Sequence, residues 1–292
     1  MRKTKLGGLG YAGIRRIKLG SLTKYTLLFM LLALVVYPFV YAFVCSFKTA
    51  PEILTGTHFL PKELQIENYS KAWVTANFSK YTFNSAWYSV ISVISALFTS
   101  AAGGYVFERG EFRGKKIIFA AFTSLMFVTL GTANMYPQLE ILQKLHLNKS
   151  LWGIIVMHFF GVNITNIYLV RSYLSNIPRE LDEAAEIDGC NFIKTFLIII
   201  LPVLKPVMAT VGIFAFGTAW NDYLWPMVVT LSNPAQRTLA VGMISLKGDA
   251  NAAAAWNLIL AGAMISAAPM TVVYLIFNKY FIRGVAAGAV KG

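Results

Sequence analysis

Glu183-Ala184-Ala185-Glu186-Ile187-Asp188-Gly189, followed after nine residues by Ile199-Ile200-Leu201-Pro202, is a polar, acidic stretch set between long apolar runs. Its residue types suit docking rather than bond-making. A carboxylate can meet a partner's cation, two alanines admit a close backbone, and a glycine turns the chain. A second group is Trp220-Asn221-Asp222-Tyr223. Asp222 is the single acidic residue inside an apolar run, and a carboxylate at membrane depth is costly enough to raise a functional hypothesis. Two readings of Asp222 stay open, contact with a path or gate and a structural hydrogen bond near a membrane surface. Asn163 and Asn166, three residues apart on one helix face and close to His158, either line a path or bond a neighbouring helix. Asn134 and Tyr136, at the end of the third apolar run, either line a cavity or anchor the helix end at the membrane interface.

Other chemistry is missing from the sequence. There is no G-x-x-x-x-G-K-[ST] run, so no P-loop nucleotide site is expected. No H-E-x-x-H, nucleophile elbow or cysteine pair with metal-ligand spacing occurs, so neither catalytic nor metal-ligating residues are assigned. Cys45 and Cys190 fall on opposite membrane sides in the topology below, which leaves both to packing.

Long apolar elements must carry these residues. Of 292 residues, 57% are hydrophobic and 13% charged, against about 25% charged in a soluble domain. With a mean hydropathy of +0.59, the chain falls in the membrane class. Its net charge of +13 comes from basic residues at the ends of apolar runs, so it reports orientation rather than nucleic-acid binding. A bilayer core about 30 Å thick needs roughly 20 apolar helical residues. Six segments qualify: Tyr25–Phe47, Tyr81–Phe107, Ile117–Pro137, Leu151–Leu174, Val203–Val229 and Trp256–Ile282. The first is too long for a signal-peptide core and lacks a cleavage site; Pro38 predicts a bend in it. Gly103-Gly104 in the second predicts a close helix approach. With the N-terminus inside, 18 Lys and Arg lie on the cytoplasmic side and 8 outside, which puts both termini in the cytoplasm. The domain plan is a basic tail over 1–24, a six-helix body over 25–282 and a tail over 283–292.

Around the acidic stretch, Pro178 and the carboxylates after it predict a helix start. Gly189 predicts its left-handed stop. A second helix is expected over Asn191–Ile200, capped by Asn191 and ending before Leu201-Pro202. Ala184 and Ala185 should leave one face flat. Outside, Lys48 to Lys80 reads as a short irregular cap. The loop from Thr230 to Ala255 exceeds the usual connection length, which suggests function; Gly248, Asp249 and Asn251 are its candidate contact residues.

The spacing from Glu183 to Pro202 resembles the EAA loop of ABC-importer permeases at every fixed position. Trp220-Asn221-Asp222-Tyr223-Leu224-Trp225-Pro226 resembles the corresponding segment of carbohydrate importers, and Arg283 to Gly292 the C-terminus of MalG-type permeases. The resemblance implies an all-α integral membrane protein with the six-helix, type I ABC importer permease (MetI-like) fold, in the bacterial cytoplasmic (inner) membrane. It implies that Glu183, Ala184, Ala185, Asp188 and Gly189 dock in a cleft of an ABC ATPase homodimer. ATP and Mg would then belong to the ATPase subunits and no cofactor to this chain. The further implied partners are a second, MalF-type permease subunit, an extracytoplasmic solute-binding protein and membrane lipid. Trp220, Asn221 and Asp222, with Asn134, Asn163 and Asn166, are the candidate path or gate. The Thr230 to Ala255 loop would reach the binding protein, and the C-terminal tail the ATPases. A permease for a non-sugar solute is the alternative. A secondary transporter would need interrupted helices at matching positions of two halves, and none is legible in the sequence.

Overall fold

The computed structural model describes residues 19–128, 131–161, 163–247 and 255–289. Gly248, Asp249 and Asn251 lie outside the described residues. Every described element is helical.

The chain opens with α1 (Leu19–Cys45), a long apolar helix that contains Pro38. The short α2 (Ala50–Thr55) and α3 (Glu67–Thr75) follow, then α4 (Phe78–Arg109), the axis of the bundle. Next come α5 (Lys115–Leu125), a 3-10 turn at Gly131–Asn134, α6 (Met135–Lys144), α7 (Leu151–Phe160) and α8 (Ile164–Leu174). A hairpin of α9 (Glu180–Ile187), α10 (Phe192–Lys194), a π-helical turn (Thr195–Ile200) and α11 (Leu201–Val203) leads into α12 (Lys205–Trp220). The chain finishes with α13 (Leu224–Val229), α14 (Leu239–Gly242) and α15 (Trp256–Ala289), which continues past the predicted span end at Ile282.

α4 packs against α7, α8 and α12, and α12 also packs on α15. Three apolar cores follow α4 along its length, around Phe78 and Trp220, around Tyr88 and Ile154, and around Tyr105 and Val207. Gly103 and Gly104 make the α4–α8 contact. A Cβ on Gly104 would lie 2.6 Å from Val170 Cγ1, and one on Gly103 2.9 Å from Ile167 Cδ1, so the predicted close approach is observed. By contrast, none of the apolar window of α1 is buried; its side chains face outward all round, as suits lipid or another subunit.

Three of the six predicted spans are interrupted, which corrects the expectation of continuous helices. Thr23–Cys45, Phe78–Arg109 and Trp256–Asn278 are long and apolar enough to cross a membrane unbroken. Predicted span Leu151–Leu174 is α7 and α8, bent by 43°. Val203–Val229 divides into α12 and α13 at Asn221–Tyr223, and the helical segment Phe192–Val203 meets α12 at 79°. In Ile117–Pro137, α5 stops at Leu125 and the path turns through Gly131, whose φ is +56°. There Thr123 and Ser124 hydroxyls donate to the Ala120 carbonyl at 3.0 and 2.8 Å, a local alternative to the helix ladder.

The segment after α1 is also more ordered than an irregular cap. The Thr49 backbone N–H donates to Glu52 Oε2 at 3.0 Å, closing a capping box at α2. Buried Asn68 donates to the carbonyls of Ser46 and Lys48 at 2.9 and 2.8 Å and accepts from Asn257 Nδ2 at 2.8 Å. One side chain thereby ties the end of α1 to the start of α15.

Candidate functional site

The acidic hairpin is built as its residue types dictate. Glu180, Asp182 and Glu183 fill the first turn of α9, where carboxylates meet the positive end of the helix. At its other end, Gly189 adopts φ +80°. The Gly189 N–H donates to the Glu186 carbonyl and the Cys190 N–H to the Ala185 carbonyl, both at 2.9 Å. Those two bonds complete a Schellman stop. Asn191 Oδ1 accepts from the Lys194 N–H at 2.9 Å and caps the next helix. That helix does not end before Leu201-Pro202, as the sequence reading expected. It widens into the π turn, which relaxes the ladder where the ring of Pro202 would crowd the preceding carbonyls, and it ends at Val203.

Exposure divides the five predicted docking residues. Glu183, Ala184, Asp188 and Gly189 are exposed, whereas Ala185 is 1% exposed. The flat face is therefore Ala184's alone, and Ala185 packs the hairpin onto its own chain. Below it, the Tyr105 ring meets Phe192 and Phe196 at 4.5 and 5.1 Å between centroids. Arg109 Nε stands 3.0 Å from Asp182 Oδ2, with the two side chains 6% and 22% exposed. The pair is ionic rather than an aligned hydrogen bond. Arg109 also donates through a terminal nitrogen to the Ile177 carbonyl at 2.6 Å. Sequence reading missed this pair, because residues so far apart in the chain carry no local signal of their contact.

A cavity of about 890 Å³ lies between α4, α6, α7, α8, α12 and α13. Ser92, Thr99, Asn134, Gln138, Asn163 and Thr218 give it polar walls. Each interrupted span contributes at or just past its break, through Asn134, through Gly161 with Asn163, and through Trp225 in the first turn of α13. Irregular backbone at membrane depth is tolerated where it lines such a space. Asn163 Oδ1 also accepts from the Asn166 N–H at 3.2 Å, so it caps α8 while facing the cavity; Asn166 lines the same wall and is 5% exposed.

The remaining predicted path residues sit elsewhere. Trp220 is 5% exposed, stacks on Phe216, and donates from Nε1 to the Ser266 carbonyl at 2.9 Å. Asp222 Oδ2 accepts from the hydroxyl of fully buried Tyr88 at 2.9 Å. Neither lines the cavity. Of the two readings of Asp222, the geometry favours the structural bond, which pins the break in span 5 to α4. Asn221 donates to the Gly217 carbonyl at 2.9 Å and borders a separate cavity of about 440 Å³ with Phe39 and Met270. Sequence reading also missed Ser92 and Thr99, whose signal was present as a hydroxyl stripe at helical spacing, Ser85, Ser89, Ser92 and Thr99, along α4. Among the described residues no cluster of His, Cys, Asp or Glu could hold a metal ion.

Residues 28–287 match the family described as binding-protein-dependent transport system inner membrane component. The arabinooligosaccharides transport system permease protein AraQ of Bacillus subtilis is 30% identical over 272 residues, 91% of this chain and 95% of that protein. The trehalose/maltose transport system permease protein MalG of Thermococcus litoralis is 29% identical over 265 residues, 88% and 91% of the two chains. A crystal structure of a bacterial ABC transporter involved in import of the acidic polysaccharide alginate contains a chain with the same fold. It superposes with a TM-score of 0.78 at 24% identity, over 94% of this chain and 100% of that one. An all-helical body with bent spans around a polar cavity, an exposed acidic hairpin and a family match over nearly the whole length agree, and this chain belongs to the inner-membrane components of binding-protein-dependent transport systems.

Proposed function

We propose that this chain is one of two transmembrane subunits of an ATP-driven, binding-protein-dependent importer for an oligosaccharide. The observation that carries the reading is the exposed set Glu183, Ala184, Asp188 and Gly189 raised on a base of buried Ala185 and the Arg109–Asp182 pair. A rigid small-residue knob of this kind fits a cleft on an ATPase subunit. Movement of that subunit is then passed to the spans as a rigid body. The sugar reading is supported by the names of relatives such as AraQ and MalG and by the uncharged hydroxyl and amide groups of the cavity.

In this scheme a longer, MalF-type subunit supplies the other cavity wall, and an ATPase homodimer binds ATP and Mg. An extracytoplasmic binding protein delivers the solute against the loop that holds Gly248, Asp249 and Asn251. The C-terminal segment after Arg283 reaches the ATPases. The interrupted spans make a secondary transporter worth weighing. However, the breaks fall in the third, fourth and fifth segments and have no counterparts in the first, second and sixth, so they do not form the paired pattern of inverted repeats.

The test is reconstitution of the complete complex in proteoliposomes with neutral oligosaccharides offered outside. Uptake should require both internal ATP and the binding protein. Uptake driven by an ion gradient without ATP would overturn the proposal, and ATP-driven uptake of a non-sugar alone would overturn its substrate part.

A further inference from the structure

A third cavity, of about 430 Å³, opens at the C-terminal end of α4, beside the start of the acidic hairpin. Four cations line it, Lys115, Lys116, Arg171 and Arg179, against the single carboxylate of Glu108. That carboxylate is engaged: Glu108 Oε2 pairs with Arg171 Nε at 3.0 Å. Arg171 also lies over the Phe119 ring, 3.9 Å from its centroid. Lys115 donates to the carbonyls of Glu108 and Gly110 at 3.0 and 2.8 Å. Lys116 and Arg179 form no ion pair among the described residues. Burial holds the Lys115 ammonium below its usual range, and the nearby Arg171 and Arg179 add to this while Glu108 and Glu111 oppose it. The cleft is thus a concave concentration of positive charge that its own chain leaves unneutralised.

Its surroundings say what kind of anion fits. Ile117 and Ile118, which follow cleft residue Lys116 in α5, are 76% and 41% exposed, and Phe112, whose ring lies 6.1 Å from that of cleft residue Phe107, is 41% exposed. Charge and apolar surface meet here at the start of α5, on the side to which most Lys and Arg are assigned. A basic pocket between spans at that level suits a lipid headgroup. We propose that this cleft binds the phosphate of an anionic phospholipid of the cytoplasmic leaflet, with the acyl chains lying over Ile117 and Ile118. Lys116, Arg179 and the outer nitrogens of Arg171 donate charge-assisted bonds to the phosphodiester. Arg179 immediately precedes α9 and Glu108 adjoins Arg109, so a bound headgroup braces the base of the hairpin from the side opposite its exposed face.

Native mass spectrometry and thermal unfolding of the whole complex test this, in nanodiscs of phosphatidylcholine with and without phosphatidylglycerol. Phosphatidylglycerol should bind and raise the melting temperature. The double variant Lys116→Gln, Arg179→Gln should weaken that binding by about fivefold per charge removed and leave phosphatidylcholine binding alone. Lys116→Arg with Arg179→Lys should retain it. If the glutamine variant does not assemble, Ala120→Glu puts a carboxylate on the exposed cleft wall and should weaken phosphatidylglycerol in the same way. Undiminished phosphatidylglycerol binding by whichever variant assembles would overturn the proposal. So would inorganic phosphate reproducing the full shift in phosphatidylcholine alone, since the source would then be a free anion.

Discussion

The acidic hairpin from Pro178 to Val203 and the break from Trp220 to Thr230 each place a carboxylate beside a helix end and close to aromatic rings. In the hairpin, backbone Schellman bonds close the turn and one side chain, Asn191, caps the next helix. Glu183, Ala184, Asp188 and Gly189 are left facing outward. In the break, side chains supply the bonds that hold the bend: Tyr88 to Asp222, Trp220 to the Ser266 carbonyl, and Asn221 to the Gly217 carbonyl. A polar residue is free for a partner only where the backbone closes without its help. Where the helix breaks at membrane depth, polar residues are drawn into the repair.

The largest effect should come from the buried base of the hairpin. Asp182→Asn leaves the Arg109 guanidinium, 6% exposed, without its counter-charge. Breaking a buried pair in this way costs about 3 kcal/mol. The expected result is a lowered denaturation midpoint of the purified protein together with loss of uptake. An unchanged midpoint would mean that the hairpin does not rest on this pair.

A smaller loss is expected at the Asn221–Tyr223 break. Tyr88→Phe removes the one hydroxyl seen on Asp222 and should destabilise by roughly 1–3 kcal/mol. Asp222→Asn keeps an acceptor for Tyr88 and should keep most uptake. If Asp222→Asn abolishes uptake while the protein remains as stable as before, Asp222 acts on the solute or the gate. The contrast between the two regions would then fail.

Much of this was legible in the sequence, for local reasons. The stop at Gly189, the Asn191 cap and the close approach at Gly103-Gly104 follow from residue types at short spacing. The interruptions were not legible, because hydropathy averages over a window and remains high through Gly161 and Asn221. Nor could the burial of Ala185 beside exposed Ala184 be read, since α9 is short and its inward face is set by packing on the π turn that follows it. Asp222 and Tyr88 are far apart in the chain, and only packing could say that the carboxylate had a partner.

Gly189→Ala isolates backbone strain within the hairpin. An added Cβ would meet nothing within 4 Å, so the cost comes from the left-handed conformation alone, roughly 1–2 kcal/mol. Uptake should fall modestly and the denaturation midpoint slightly. Wild-type uptake and midpoint together would show that the elbow can turn without glycine.

The smallest effect on stability, and the sharpest test of the contrast, should come from Ala184. It is exposed and in mid-helix, so leucine there changes stability by less than about 0.5 kcal/mol. Under the docking proposal the same change fills the surface meant for a close partner. Uptake and ATPase co-purification should then fall roughly tenfold, as when a central interface contact is obstructed. Ala185→Leu is the matched control, because it overpacks a buried site and should cost about 1–3 kcal/mol before any partner is present. Stability that falls only for Ala185, with coupling lost for both, assigns one alanine to the fold and its neighbour to the interface. If Ala184→Leu leaves uptake and co-purification intact, the exposed face of α9 is an ordinary solvated surface, and the docking residues lie elsewhere.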